Sequence, residues 1–191
     1  MSRTSGRPDA RITKSRSALH SALLELVAEM PFEDVTIAAL AARAGVGYAT
    51  FFRHYPTREA LLAEIADGLI GELLALIRPL LMAGDPGAAA LALTLFVDER
   101  RSLARALLVG AGDALRRDIT GRAVAISKAA DQAMPPWLPH DLGVVHIAAA
   151  TLTILGWWLD RGADHSAATM ADILNRLVFS PTAQPDDSAS D

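Results

Sequence analysis

The side chains best suited to binding chemistry lie in one short segment, residues 47–55, which reads GYATFFRHY. Its hydroxyl and imidazole groups can donate hydrogen bonds to phosphates and base edges. No catalytic pattern accompanies it, because the chain has no HExxH pairing, no Walker motif and no GxSxG sequence. The chain also has no cysteine. We therefore expect a binding segment, with no catalytic residue, metal site or cofactor. The five scattered histidines are His20, His54, His140, His146 and His165.

The residues before this segment predict a short helix. Thr36 is a suitable N-cap for a helix that begins at Ile37, and Val35 can pack on Leu40 as a hydrophobic staple. Gly45 can adopt the left-handed conformation that ends such a helix. The helix should therefore be followed at once by a tight turn.

A second short helix is predicted directly after the turn. Gly47 can cap it, and Tyr48–His54 form its body. Two helices joined by about three or four residues that include glycine are typical of a helix-turn-helix, whose second helix presents its first residues to base edges in the major groove. Tyr48 is a bulky residue without a core partner in this pattern, which favours a role in base contact.

Residues 32–62, FEDVTIAALAARAGVGYATFFRHYPTREALL, resemble the N-terminal DNA-binding domain of the TetR/AcrR family of transcriptional regulators. The matching blocks are TIAALAARAGV and TFFRHYPTREALL, and with the preceding helix the resemblance covers roughly the first third of the chain. It implies that Tyr48 and Ala49 contact base edges. It also implies that the DNA backbone is contacted by Thr36, Gly47 (through its backbone), Thr50, Phe52, His54 and Arg58.

Two residues depart from the family pattern. Position 48 often carries Lys or Arg, but Tyr48 cannot form a bidentate contact with guanine, so apolar contact with a thymine methyl or a single hydroxyl hydrogen bond is favoured. Position 52 usually carries Tyr, and Phe52 has no hydroxyl for a phosphate. Phe52 can alternatively pack on the first helix. His54 can alternatively stabilise the negative end of the helix dipole.

Composition indicates an all-α protein with a reducing, cytoplasmic location. The chain has 191 residues, 51% of them hydrophobic and 5% aromatic, without cysteine and without sustained alternation of apolar and polar residues. The N-terminal residues do not form a signal peptide. The net charge of −4 is unevenly placed, since residues 1–60 hold eight Lys and Arg against six Asp and Glu, and the remainder hold ten against sixteen. This distribution leaves the proposed DNA-binding segment the more basic part.

The helical pattern predicts an N-terminal three-helix helix-turn-helix head and a C-terminal helical ligand-binding and dimerisation domain, with about nine helices in all. The first helix should span residues 10–30 and end at Pro31. It should pack across the next two helices, with a shared core of Leu19, Leu23, Leu26, Phe32, Leu40 and Phe51. The predicted parts are a flexible basic arm at 1–9, the DNA-binding domain at 10–56, the second domain at 57–179 and a disordered acidic tail at 180–191.

The second domain holds the least specific predictions. Its helices at 141–161 and 166–179 resemble the pair through which such regulators form a homodimer. The apolar run from Leu142 to Leu159 contains His146 and indicates a helix buried among partners rather than a membrane span. Core or dimer packing is the favoured role for each single residue of the candidate ligand pocket. That set is Phe96, Leu103, Leu107, Trp137, His146 and Trp157.

The expected function is that of a homodimeric repressor that binds a palindromic operator in double-stranded DNA. A small-molecule effector of unknown identity would release it by favouring a spacing of the two heads that does not fit the operator. The alternative is a small-molecule-binding protein of the same fold with weak or no DNA binding. Tyr48 and Phe52 leave that alternative open.

Overall fold

The computed structural model describes residues 6–110 and 134–183, together with residues 113, 117, 118, 120–122, 124 and 125 between them. Every regular element in these residues is helical, and none is a strand, which confirms the all-α fold. The chain divides into two compact units, Met1–Leu69 and Ile70–Asp191. The division falls inside a helix, whereas the predicted domain boundary at residues 56 and 57 lies just before that helix.

The first unit contains α1 (Gly6–Glu29), a 3-10 turn (Phe32–Asp34), α2 (Ile37–Arg43), α3 (Tyr48–His54) and the start of α4 (Arg58–Met82). α1 begins earlier than the helix predicted from residue 10. Pro8 is compatible with this start because the backbone N–H groups of the first helical turn have no acceptor within the helix. The N–H that proline lacks therefore costs no hydrogen bond there. Residues 6–9 of the predicted arm are therefore helical, and residues 1–5 lie outside the described residues.

The predicted caps and turn of the helix-turn-helix are confirmed. Thr36 Oγ1 accepts a hydrogen bond from the backbone N–H of Ala39 at 3.1 Å, and α2 begins at the next residue. Gly45 has a φ of 63°, which allows the chain to reverse. Gly47 is the N-cap of α3. The sequence therefore places α2 and α3 by local conformational preferences alone.

A compact apolar core holds these helices, with α1 packed on α2 and α2 packed on α3. Val35 is also fully buried, as the staple requires. The six side chains expected to form this core are all buried: Leu19, Leu23, Leu26, Phe32, Leu40 and Phe51.

A polar network joins α1, the residue after α3, and α4. The Tyr55 hydroxyl donates to Glu64 Oε1 at 3.0 Å and lies 3.0 Å from His20 Nε2. Arg16 donates to the Tyr55 hydroxyl at 3.4 Å and forms an ion pair with Glu64. His20 Nε2 also lies 2.9 Å from Glu64 Oε1. These bonds fix the C-terminal end of α3 against two other helices.

The network shifts the pKa values of Tyr55 and Glu64. Burial is the main reason that the pKa of Tyr55 is raised. Burial also acts to raise the pKa of Glu64, but the hydrogen bonds from Arg16, Tyr55 and His20 outweigh it and hold this pKa below its ordinary value. Glu64 is thus stabilised in its charged form by the folded state.

The second unit contains the rest of α4, followed by α5 (Pro86–Glu99), α6 (Arg101–Arg105) with a π-helical turn (Ala106–Gly110), α7 (His140–Arg161) and α8 (Ala167–Leu174). A π-helical turn (Asn175–Phe179) and α9 (Ser180–Ala183) continue α8. The sequence also predicts a helix that Asp113 caps and that ends near Met134, but this segment falls largely outside the described residues. Residues 180–183 of the predicted disordered tail are helical, and the rest of that tail also lies outside them.

The core of the second unit is built around α5 and α8, which pack on each other. Thr94 in α5 is fully buried, and its hydroxyl donates to the carbonyl of Ala90 at 3.1 Å. Trp158 in α7 is also fully buried, and its indole N–H donates to the carbonyl of His165 at 2.9 Å. The Thr94 hydroxyl and the Trp158 indole N–H are thereby satisfied inside this apolar core.

We predict opposite effects of one substitution at two glycines. Gly45→Ala should lower the free energy of unfolding by about 1 kcal/mol, because a Cβ is strained at positive φ. Gly68→Ala, inside α4 and with no atom within 4 Å of an added Cβ, should raise it by about 0.5–1 kcal/mol. Urea denaturation measures both values. Equal effects at the two sites would contradict the left-handed turn.

The Glu64 network predicts a pH-dependent stability difference. Because the pKa of Glu64 is lower in the folded chain than in the unfolded chain, its contribution is present above the ordinary pKa of 4.5 and is lost as the pH falls through the folded-state value. Glu64→Gln should cost about 1 kcal/mol at pH 7 and less at pH 3–4. Thermal unfolding across pH measures this. Glu33→Gln, at an exposed carboxylate of the same unit, is the control and should show no such trend.

Candidate nucleic-acid interface

The first turn of α3 faces solvent because the opposite side of the helix is anchored in the core. Phe51 is fully buried, whereas Tyr48 and Ala49 are exposed. α3 has only seven residues, so its packing determines its orientation. Tyr48 and Ala49 are therefore presented as the helix-turn-helix prediction requires.

The three small residues expected at the DNA backbone lie at the starts of α2 and α3. Thr36 and Gly47 are the exposed N-caps of these helices, and Thr50 lies one turn into α3. The first N–H groups of a helix have no intrahelical acceptor, so they can donate to phosphate oxygens. Thr50 Oγ1 accepts a hydrogen bond from Arg53 Nη2 at 3.4 Å.

His54 and Arg58 are engaged with the protein itself. His54 is half-buried, and its Nε2 lies 2.7 Å from the hydroxyl of Ser15 in α1. The Arg58 guanidinium donates to the carbonyls of Phe32 and Glu33 at 2.9 Å and also to that of Val35. It lies 4.8 Å from the centre of the Phe32 ring. Arg58 therefore fixes the start of α4 against the turn before α2, and its contact with DNA stays a prediction.

Arg53 is a candidate contact that the sequence reasoning missed. It is exposed in the last turn of α3, beside Thr50. Its cationic side chain is suited to a phosphate oxygen. The signal was present in the sequence, since Arg53 is the only lysine or arginine within Tyr48–His54.

Phe52 packs against two aromatic side chains of its own helix, Phe51 and Tyr48. Its ring lies 5.5 Å from that of Phe51 and 5.2 Å from that of Tyr48, with an interplanar angle of 66° to Tyr48. Phe52 and Tyr48 remain 45% and 57% exposed, respectively. We call these two side chains the aromatic pair. The pair forms an apolar surface on the exposed side of α3.

Arg43 in α2 is charged but already paired. Its guanidinium donates to Glu29 at 2.7 Å and to Glu25 at 3.1 Å. The hydrogen bond from Arg43 is the main reason that the pKa of Glu29 is lowered, and the two glutamates raise the pKa of Arg43. Arg43 therefore ties α2 to α1, which leaves Arg53 as the better candidate for a phosphate contact.

The candidate pocket residues lie in different environments. Leu103 and Leu107 are buried in α6 and the turn after it, and Phe96 is half-buried with the Arg100 guanidinium 4.0 Å from its ring centre. The other three are exposed, namely Trp137, His146 and Trp157. That these six residues line one ligand pocket stays a prediction.

Thr151 in α7 is a polar group that the sequence reasoning missed. Its hydroxyl oxygen is buried and has no hydrogen-bond partner among the described residues. A buried hydroxyl of this kind is a candidate for a ligand contact. Within the part of the chain that the structure describes, no group of three or more His, Asp or Glu side chains is arranged to hold a metal ion.

One helix of the described chain, His140–Arg161, is long and apolar enough to cross a membrane by length and composition. A single helix of this kind is insufficient to indicate a membrane span, because the core helix of a soluble protein has the same properties.

A family model matches part of the first unit. The sequence model described as bacterial regulatory proteins, tetR family, matches residues 19–65. This segment contains all of α2 and α3 and every predicted DNA contact. No curated protein matches the chain.

The fold extends the likeness over most of the chain. A TetR transcriptional regulator from Streptococcus agalactiae is 18% identical with a TM-score of 0.65, over 90% of this chain and 97% of its own. FadR from Thermus thermophilus, a TetR-family transcriptional repressor in complex with lauroyl-CoA, is 19% identical with a TM-score of 0.66, over 92% and 99%. A transcriptional regulator from Rhodococcus is 20% identical with a TM-score of 0.61, over 88% and 98%.

The two comparisons agree with the geometry of α2 and α3, with the glycine turn between them and with the helical second unit. Residues 19–65 thus match the tetR family of bacterial regulatory proteins, and the chain as a whole is similar in fold to solved TetR-family regulators.

Proposed function

We propose that this protein is a TetR-family transcriptional regulator, a homodimeric repressor that binds a palindromic operator and is released by a small molecule. The observation that carries the proposal is the exposed first turn of α3, held by the buried Phe51 within the segment that matches the family. A helix anchored in this way can enter a major groove while Phe51 stays in the core. The proposed location is the cytoplasm, where the operator is accessible.

The proposed DNA contacts fall into two groups. Tyr48 and Ala49 face the bases from the first turn of α3. The DNA backbone is contacted by Thr36, by Gly47 through its backbone, and by Thr50, His54 and Arg53. Arg58 acts mainly through its bonds to the turn before α2, where it positions the start of α4.

An exposed stripe on α7 supports the homodimer. Its residues recur at spacings of three and four, as in helices that pack side by side, and only 28% of the apolar stretch of α7 is buried within the chain. Leu177, after α8, is 62% exposed. A second copy could cover both surfaces in a four-helix bundle and place two heads on successive turns of DNA. The stripe consists of Leu142, His146, Ala149, Thr153 and Trp157.

Release by an effector is supported by the fold likeness to a regulator that holds lauroyl-CoA. We propose that the second unit of this chain likewise binds a small molecule and that binding shifts the population of head spacings. The unpartnered Thr151 hydroxyl adds a candidate hydrogen bond to the pocket residues predicted from the sequence.

The alternative function is a small-molecule-binding protein of this fold with little DNA affinity. It is favoured by the absence of Lys or Arg from the first turn of α3 and by the lack of a hydroxyl on Phe52. Neither function requires catalysis.

DNA binding predicts a steep dependence on salt. Counterion release makes the affinity fall as salt rises, in proportion to the number of phosphates that the protein neutralises. Arg53→Ala should weaken binding to all sequences and reduce the salt slope by about one in each half-site, because one phosphate there is no longer neutralised. Electrophoretic shifts between 50 and 200 mM salt measure this. Arg78→Ala, at an exposed cation in α4, is the matched control, and absence of any shift at low salt would favour the alternative.

The dimer predicts a selective effect of charge on α7. Ala149→Asp should yield monomers, because it places an acid in the apolar stripe, yet the folded chain should persist because position 149 is exposed within one copy. Sedimentation velocity measures the mass. Ala75→Asp, at an exposed alanine in α4, carries the same cost in helix propensity and should remain dimeric. A dimer that survives Ala149→Asp would place the interface elsewhere.

A further inference from the structure

The aromatic pair gives α3 an apolar contact surface, with Tyr48 at a position where the family pattern often has Lys or Arg. Tyr48 and Phe52 lie one helical turn apart, their ring centres are 5.2 Å apart, and their interplanar angle is 66°. This edge-to-face arrangement is favourable for aromatic rings and adds to their stability as a unit. The two rings therefore act as one surface rather than as two independent side chains.

This surface is held in place from below. Phe52 packs edge-to-face on the buried Phe51, with ring centres 5.5 Å apart. The series of three rings thus runs from the core to solvent. Aromatic side chains have few torsions to immobilise, so little conformational entropy is lost when the pair meets a partner. The pair is organised before binding.

The major groove offers few apolar groups to such a surface. The hydrogen-bond donors and acceptors of the bases are polar, and the C5 methyl of thymine is the apolar exception. A cytosine carrying a C5 methyl presents the same group at the same position. The helix start offers no cation for guanine, since Arg53 and His54 lie in the last turn of α3. Apolar contact is thus the readout that this helix start favours.

We propose that the aromatic pair reads pyrimidine C5 methyl groups in each operator half-site, supplied by thymine or by 5-methylcytosine. This inference rests on the proposed DNA-binding function and deepens it by naming the chemical group that is recognised. It also gives Phe52 a role different from the phosphate contact that the family resemblance implies. Tyr48 meets the base from the first turn, and Phe52 supports its ring and extends the apolar surface.

The test compares thymine with uracil, which differ only by the C5 methyl. Fragments bound by the protein are selected from a random duplex library, and the enriched site is synthesised with thymine or deoxyuridine at each position in turn. Uracil at a contacted position should weaken binding about fourfold, the factor that corresponds to about 0.8 kcal/mol per buried carbon. Replacement in both half-sites should then weaken binding by about sixteenfold. Cytosine at the same position should bind weakly, and 5-methylcytosine should restore part of the affinity.

Protein variants assign the effect to the aromatic pair. Tyr48→Ala and Phe52→Ala should bind thymine and uracil sites with equal affinity, whereas Tyr48→Phe, which keeps the ring, should retain the preference for thymine. Leu24→Ala removes another exposed apolar side chain of the same unit, 41% exposed in α1, and should also retain it. Thermal unfolding of each variant verifies that the head is folded.

The outcomes separate this inference from the function on which it rests. Tight binding with equal affinity for thymine and uracil sites would overturn methyl readout and leave the repressor intact. A thymine preference that persists in Tyr48→Ala and Phe52→Ala would assign the readout to other residues. A change of oligomeric state in these variants, without a change in preference, would make the pair a protein contact. No binding to any selected fragment would overturn both proposals.

Discussion

The burial of Phe51 is the constraint on which the presentation of α3 depends. A helix of seven residues has little stability alone, so its position comes from tertiary packing. Phe51 lies fully buried, and Tyr55, four residues later, is nearly so, with ring centres 6.0 Å apart. Because residues four apart share a helix face, this anchored side leaves Tyr48 and Phe52 together on the exposed side. The same packing that stabilises the head thereby creates its contact surface.

The polar groups around α3 fix the position of this helix and contribute little to the free energy of unfolding. The Tyr55 hydroxyl joins α1 and α4 through Arg16, His20 and Glu64, and these side chains are partly exposed, so each bond contributes modestly. Their joint effect is to fix the end of a short helix whose other end is free to meet DNA. Arg58 acts similarly at the start of α4 through three backbone carbonyls. Charged residues beside α3 can therefore stabilise the protein itself, and contact with nucleic acid is not their only possible role.

The second unit combines an internal core with one helix that keeps an apolar side exposed. α5 and α8 build an internal core, whereas α7 buries Trp158 and Leu155 on one side and keeps Leu142 and Trp157 exposed on the other. A helix that is apolar on nearly all sides is best stabilised by partners on more than one side. The proposed dimer supplies that second partner. Dimerisation would also account for two recognition helices acting on one symmetric site.

The sequence by itself determined the local features of the head. Thr36, Gly45 and Gly47 specify where α2 and α3 begin and end because caps and positive φ depend on residue type at single positions. The spacing of leucines and phenylalanines likewise identified the core of the head. Only the tertiary structure decided which partners the polar and aromatic side chains contact. Arg58 and His54 contact partners 23 to 39 residues away, Arg43 pairs with α1, and Phe52 packs on Tyr48 in the aromatic pair. These contacts depend on which residues, distant in sequence, are brought together by packing. The spacing of residues within one helix does not specify them.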